Sequence, residues 1–246
     1  MNANDNGALL YEGPSAYDGT PIVALVTGLR RHTRNEKTGR MLQTWILPAE
    51  RLPSAAVTTG HDSAVCGACP ERPTSGGRCY VEAEKAPDAV WRSYARGAYF
   101  DATEPEVQRA LGRGRKVRLG AYGDPVAVPV AVWERLTSES LGWTGYSHHP
   151  DPSHPIFDLC QFSASSYADA LKAWFHGRRT FRILAKGETL EPGELWCPNV
   201  THDVQCADCG LCNGTHGVGI DKRRSIAIRS HGVRAAGSHA RLPVLA

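Results

Sequence analysis

The sequence has no long apolar run. Its longest apolar stretches, such as residues 126–133, are far shorter than the roughly 20 residues that a membrane-spanning helix needs. Its first residues, MNANDNG, are polar and lack the basic and then apolar segments of a secretion signal. We therefore expect a cytoplasmic protein without a membrane partner.

The chain of 246 residues also lacks a strong net charge. Its 28 basic and 25 acidic side chains give +3, so a preference for a polyanion must come from local patches. Basic patches occur at residues 30–40 and at Arg178, Arg179 and Arg182. With aromatic residues elsewhere in the chain, such patches suit phosphates and unstacked bases. A solvated basic face is the alternative.

Neither an internal repeat nor a glycine-rich phosphate loop is present. Short apolar segments alternate with helical patterns, which is typical of a parallel α/β fold. We expect a TIM-barrel-like or partly open (β/α) barrel with cysteine-rich metal-binding loops. Residues 1–8 are expected to form a loose tail, and residues 9–246 a single α/β domain. This domain would carry a metal-binding insertion around residues 61–80 and a four-cysteine knuckle at residues 197–212.

Particular strands and helices follow from these patterns. The sequence predicts strands at residues 22–26, 44–47, 116–120, 142–147, 156–162 and 180–184. It predicts helices at residues 86–96, 104–111, 128–141 and 167–175. Functional groups of α/β folds gather at the carboxyl ends of the strands, so polar residues at those ends are candidates for a site.

The strongest motif is a group of four cysteines near the end of the sequence. Thiolates so closely spaced can close around one zinc ion or one iron–sulfur cluster. A disulfide is disfavoured because the expected compartment is reducing. The group consists of Cys197, Cys206, Cys209 and Cys212.

A second group contains only Cys66, Cys69 and Cys79. Three protein ligands leave an open metal position, as in catalytic sites. Candidates for a fourth ligand are His61, Cys160 and a non-protein group. The alternative to an open site is a small closed zinc site completed by a distant residue. The CxxxCxxC spacing of clusters that cleave S-adenosylmethionine is absent, which argues against radical chemistry.

Asp124 follows the strand ending in Gly-Ala-Tyr-Gly and precedes a proline. At this position a carboxylate can act as a general base or nucleophile, or it can cap the next helix. Arg118 and Tyr122, on the same strand, are candidates for substrate binding.

Further candidates follow the next strands. His148 is a candidate for proton transfer and Tyr146 for substrate contact, because alternate residues of a strand share a side. Ser163 and Arg182 are candidates for binding phosphate, whereas serines at this strand end can also cap the following helix.

Five segments resemble a family of phage and prophage proteins related to queuine tRNA-ribosyltransferases, the DNA 7-deazaguanine transglycosylases. They are residues 27–50, 65–81, 117–133, 142–149 and 197–212. The resemblance implies a TIM-like barrel, a zinc site near the C-terminus and an aspartate-driven exchange of guanine for a 7-deazaguanine base. Asp124 would be the family's strand-end aspartate, and the four-cysteine group would hold its zinc. The spacing CxxCxxC differs from the CxCxxC of the tRNA enzymes.

Our leading hypothesis is therefore base exchange in phage DNA, with RNA as a further possible target. The protein would act in the cytoplasm of a bacterial host and take a 7-deazaguanine base as its small-molecule substrate. Two alternatives remain. One is an iron–sulfur enzyme, with radical chemistry as an option, that uses the three-cysteine group. The other is a zinc-stabilised nucleic-acid-binding module without catalysis.

Overall fold

Two β-sheets with mostly parallel strands form the framework of the protein. A computed structural model describes residues 6–33, 35–77, 79–185 and 187–229. The strands are β1 (Gly7–Pro14), β2 (Pro21–Thr27), β3 (Leu42–Pro48), β4 (Phe100–Asp101), β5 (Lys116–Tyr122), β6 (Gly142–Thr144), β7 (Tyr146–Ser147), β8 (Gln161–Ala164), β9 (Thr180–Leu184), β10 (Glu194–Trp196) and β11 (Ser225–Arg229). Their order is β4-β1-β2-β3-β5-β6 in the first sheet and β10-β11-β9-β8-β7 in the second.

The helices lie in the connections between strands. Several begin with proline in the first turn, where its missing N–H costs no hydrogen bond. The helices are α1 (Pro53–Thr59), α2 (Ser63–Cys66), α3 (Ala86–Ala95), α4 (Pro105–Gly112), α5 (Val130–Ser138), α6 (Tyr167–Phe175), α7 (Pro198–His202) and α8 (Cys206–Cys209).

The first three strands run antiparallel, and the later pairs are parallel. β2 pairs with both β1 and β3, and its residues 22–26 are all buried. In the first sheet β3, β5 and β6 pair in parallel, and in the second sheet β7, β8, β9, β11 and β10 do so. β6 and β7 are consecutive along the chain and run in the same direction. The carboxyl ends of these parallel strands therefore lie at one edge of the sheets and their amino ends at the other.

Gly145 joins the two sheets. Residues 142–144 pair with β5, and residues 146–147 pair with β8. Between them, the Gly145 carbonyl accepts the Gln161 N–H at 2.9 Å. A Cβ at this position would lie 2.6 Å from Cys160 Sγ and 3.1 Å from Leu119 Cβ, so only glycine fits without movement.

Helices α4 and α5 pack together beside β5 and cover part of the core. A Cβ on Gly112 would lie 1.8 Å from the Leu136 carbonyl oxygen, which shows how closely the two helices approach. Trp133 is fully buried, and its Nε1 donates to the Pro125 carbonyl at 2.8 Å. This bond holds α5 against the turn that follows β5.

The predicted mixed α/β arrangement with parallel strands is confirmed, whereas the barrel and its metal-binding loops remain predictions. The strand predicted at residues 156–162 begins only at Gln161, because a 3₁₀ turn, Pro155–Asp158, precedes β8. Gly7 and Ala8, which the sequence predicts to lie in a loose tail, instead pair within β1 and are buried. Residues 1–5 lie outside the described residues. No helix among the described residues is long and apolar enough to cross a membrane.

Candidate metal centre

The loop that contains Cys66, Cys69 and Cys79 is folded by a series of backbone turns. Cys66 ends α2, and the Cys69 N–H donates to the Cys66 carbonyl at 3.2 Å. The chain then reverses, so that the Cys79 N–H donates to the Glu71 carbonyl at 2.8 Å. Gly67 has φ 56°, in the left-handed region, and a Cβ there would lie 2.6 Å from the Tyr17 ring. Both the left-handed backbone and the close approach of Tyr17 therefore require glycine at position 67.

The three cysteines line one cavity of about 340 Å³. Tyr122, the last residue of β5, lines it as well, so the cavity is at the carboxyl end of that strand. Tyr122 is 6% exposed, and its hydroxyl has no hydrogen-bond partner among the described residues. A buried polar group without a partner is costly and is typical of a position that a ligand or water fills.

Two thiols of this group, those of Cys66 and Cys69, have raised pKa values. Burial raises the pKa of Cys66 well above its usual value, and nearby Cys69 and Asp62 raise it further. Burial also raises the pKa of Cys69 to about 12, although the Glu71 N–H, which donates to its sulfur, opposes this. A bound metal ion reverses this balance, because its charge favours thiolates and their protons are released.

The described residues contain no group of three or more His, Cys, Asp or Glu side chains in an arrangement ready to hold a metal. The three cysteines are thus neighbours without a closed coordination shell. Neither fourth ligand suggested by the sequence lines their cavity. His61 is exposed and bonds Thr59, while Cys160 is fully buried beside Gly145.

Asp124 acts as a cap and as a structural junction. Its Oδ1 accepts the Val126 N–H at 3.0 Å and the Ser147 hydroxyl at 2.7 Å. Its Oδ2 accepts the His148 N–H at 2.8 Å, and the Tyr17 hydroxyl also donates to this carboxylate. The capping interpretation is confirmed. The catalytic role stays a prediction, and it would require some of these bonds to break.

His148 lies beside Asp124, at the carboxyl end of β7. Its Nε2 is buried and has no hydrogen-bond partner among the described residues. Burial lowers the pKa of His148, although the negative charges of Asp124, Glu71 and Asp169 act in the opposite direction. A neutral imidazole with an unpartnered nitrogen can donate or accept one hydrogen bond to a ligand.

Tyr17 belongs to this site, although no sequence motif identifies it. Its hydroxyl binds Asp124, its ring touches Gly67, and its ring centroid lies 6.4 Å from that of His149. Burial, followed by Asp124, raises the pKa of Tyr17 above its usual range. Its position in the chain, between β1 and β2, is remote from every cysteine, so only the fold brings it here.

The four-cysteine group lies at the opposite edge of the parallel strands. The Cys206 N–H donates to the Lys37 carbonyl at 2.6 Å, and Lys116, the first residue of β5, binds the Ala207 carbonyl. Gln161, the first residue of β8, donates to the Leu211 carbonyl at 3.2 Å. Burial, followed by neighbouring cysteines, raises the pKa of Cys206. These bonds attach the group to the amino ends of the strands.

Two predicted substrate contacts lie near this second group. The Tyr146 hydroxyl donates to Cys212 Sγ, and its ring centroid lies 4.5 Å from that of Phe181. Burial raises the pKa of Cys212 to about 12. Arg118 donates to the Tyr80 hydroxyl at 3.2 Å and lies near enough to Cys206 to lower its pKa. Tyr146 therefore contacts the four-cysteine group, whereas the bond between Arg118 and Tyr80 lies at an exposed position.

The second basic patch is not a surface. Arg178, Arg179 and Arg182 are 7%, 4% and 1% exposed. Arg182 donates to both carboxylate oxygens of Glu194, at 2.8 and 2.7 Å. The Arg182 guanidinium is thus paired inside the protein and is not available to bind a substrate phosphate. Ser163 is buried within β8.

Ser165, just after β8, contributes a further buried polar atom. Ser165 Oγ has no hydrogen-bond partner among the described residues, whereas Ser166 caps α6 by accepting the Asp169 N–H at 3.1 Å. The predicted helix cap at this strand end is therefore confirmed for Ser166.

Comparison of the chain with protein-family models, with curated proteins and with solved structures found no match.

Proposed function

We propose that the protein is an enzyme that works with an iron–sulfur cluster bound by Cys66, Cys69 and Cys79. The observation that carries this proposal is their common cavity at the carboxyl end of β5, where no fourth cysteine or histidine of the described residues takes part. Three thiolates leave one coordination position of a cluster for another molecule. In α/β folds this edge is where ligands and substrates bind.

The ligand set favours a cluster over zinc. Catalytic zinc sites with three protein ligands typically contain histidine or a carboxylate, as in His₃, His₂Glu and Cys₂His sets. Of the two carboxylates that line the cavity, Asp62 is already held by Arg72, and Glu84 is exposed to solvent. Sets made of thiolates alone are typical of iron–sulfur clusters and of closed zinc sites.

Other residues of the chain would orient a substrate next to the cluster. When bound, the cluster would supply electron transfer or an iron that accepts a ligand. The Tyr122 hydroxyl would donate a hydrogen bond from inside the cavity, and His148 Nε2 would offer a neutral donor or acceptor at the end of β7. The Asp124 carboxylate would hold Tyr17 and the backbone of His148 in place.

Anaerobic purification followed by iron and sulfide analysis tests the proposal. We expect a brown protein whose visible absorbance disappears in C69S. C160S is the matched control, because Cys160 is buried in the core away from the cavity. Colourless protein without iron, after reconstitution with iron and sulfide, would overturn the proposal.

Base exchange in nucleic acid is the second candidate. It rests on the resemblance of the sequence and on the unpartnered nitrogen of His148, which a flipped base needs as a partner. DNA and a 7-deazaguanine base would be its substrates, and Asp124 its nucleophile. Guanine release from DNA, compared between the natural protein and D124N, tests it. A nucleophilic role predicts a loss of at least about a hundredfold, and retained activity rejects that role.

A further inference from the structure

A buried ion pair lies inside the three-cysteine loop. Arg72 donates from Nε to Asp62 Oδ2 at 2.9 Å and from Nη2 to Asp62 Oδ1 at 2.6 Å. Asp62 is 1% exposed. A two-bond pair of this kind fixes the relative orientation of both side chains, which a lysine could not do.

The same arginine also holds the backbone around the cysteines. Its guanidinium donates to the carbonyls of Gly60, at 2.9 Å, and Gly67, at 3.2 Å. Its own N–H donates to the Cys69 carbonyl at 3.3 Å, and its carbonyl accepts the Gly77 N–H at 2.9 Å. Arg72 is therefore bonded to the segment before Cys66, to the turn between Cys66 and Cys69, and to the segment that leads to Cys79.

Arg72 and Asp62 also line the cavity itself. The guanidinium brings a positive charge into the cavity that the sulfurs line. Its hydrogen bonds to Asp62, and then the charges of Asp62, Cys66 and Cys69, raise the pKa of Arg72. Around the thiols, Asp124 and Glu71 add negative charge. Asp62 acts on Cys66 with its negative charge, so the guanidinium is the positive partner that offsets this carboxylate beside the sulfurs.

We propose that the Asp62–Arg72 pair is the positioning element of the metal centre, which holds the three sulfurs toward one cavity and places a fixed positive charge beside them. This inference rests on the proposed function for its metal. Its two parts are separable, because lysine keeps the charge but cannot make the four side-chain bonds of Arg72.

Arsenite is a suitable first probe, because trivalent arsenic binds three thiolates together and requires neither iron nor turnover. Binding is measured on metal-free, reduced protein, and the amount bound by C69S is subtracted to remove the contribution of other cysteines. We expect R72K and R72Q to weaken this binding at least tenfold. R178Q is the matched control, because Arg178 is also buried and paired, with Asp158 at 2.5 Å, but lies away from the cysteines.

The reduction potential of the reconstituted cluster is the second measurement. Losing the positive charge in R72Q should shift the potential to a more negative value, while R72K should stay close to the natural protein. A merely structural role would not separate the two variants. Equal arsenite affinity and equal potential in the natural protein, R72K and R72Q would overturn the inference, as would natural protein that binds no arsenite above C69S.

The outcome also distinguishes this inference from the proposed function. If the natural protein binds arsenite through the three cysteines and R72K does not, the positioning role stands. If the natural protein then contained no iron after reconstitution, the iron–sulfur proposal would be rejected and the positioning role of Arg72 would remain.

Discussion

The two cysteine groups differ in what surrounds them, and the difference indicates different roles. Cys66, Cys69 and Cys79 border an open cavity, with an unpartnered tyrosine hydroxyl at the carboxyl end of β5. The four-cysteine group is attached to the amino ends of β5 and β8, because the side chains of Lys116 and Gln161 donate to the carbonyls of Ala207 and Leu211. In α/β folds the first edge carries chemistry and the second contributes stability. Cysteine spacing alone cannot make this distinction, because it does not say which edge a loop reaches.

The largest expected effect concerns stability and separates the two groups. C209S should lose one bound metal and about 3 kcal/mol or more of stability, because structural metal binding is coupled to folding. For a chain of this size that lowers the melting temperature by roughly 6–12 °C. C69S should lose its metal with a much smaller change in melting temperature.

Metal analysis and thermal unfolding of the two variants, in parallel, measure the difference. If C69S unfolds as readily as C209S, the three-cysteine group is structural too and the contrast fails.

A second test concerns the residue that joins the cavity edge to the strands. Asp124→Asn replaces one accepting carboxylate oxygen with an amide N–H₂ group. This donor would face another donor, either the His148 N–H or the Ser147 hydroxyl. We expect a loss of about 1–3 kcal/mol in urea unfolding, because a buried group is left unpaired. D151N, at an exposed turn, is the control. A D124N protein as stable as the natural one would show that the cap contributes little.

The third test uses pH at the same edge. Burial lowers the pKa of His148 below its ordinary value, so the unfolded chain binds a proton that the folded protein refuses. Stability should therefore fall as the pH drops below about 6.5, the ordinary histidine value. H148Q should show a smaller fall than the natural protein or H176Q, in which an exposed histidine is replaced. Parallel curves for all three proteins would contradict this account.

The smallest expected effect concerns the amino edge. The basic loop at residues 30–40 lies there, because the Lys37 carbonyl accepts the Cys206 N–H. Of the two arginines that we expect to bind phosphates, Arg31 is exposed and Arg34 lies outside the described residues. Neutralising both should lower the salt dependence of DNA binding by about one unit of slope for each phosphate that is no longer neutralised. R96Q, just after α3, is the control, and an unchanged slope would mean that the loop is only solvated.

The sequence was informative where one local pattern determined the outcome. Apolar runs indicated the central strands, as with residues 22–26 in β2, and Ser166 was identifiable as a cap from its position before α6. Chain-distant contacts were not identifiable. Nothing in the sequence indicates that Tyr17 bonds Asp124 or that Arg72 pairs with Asp62.

The buried arginines also could not be recognised from the sequence alone. Arg182 looks like part of a basic surface patch until its partner, Glu194, is known. A charged side chain in an alternating strand is usually solvated, and burial reverses that expectation only when an opposite charge is brought beside it by tertiary structure.

The position of β11 has a consequence for the order in which the chain folds. β11 is the last described strand along the chain, yet it lies between β9 and β10 and bonds to both. Until Ser225–Arg229 has been synthesised, β9 and β10 each present an open edge, which is prone to pairing with other chains. Because such distant parallel pairing is slow, a nascent or truncated chain that ends before β11 should depend on chaperones and aggregate more readily than the intact protein.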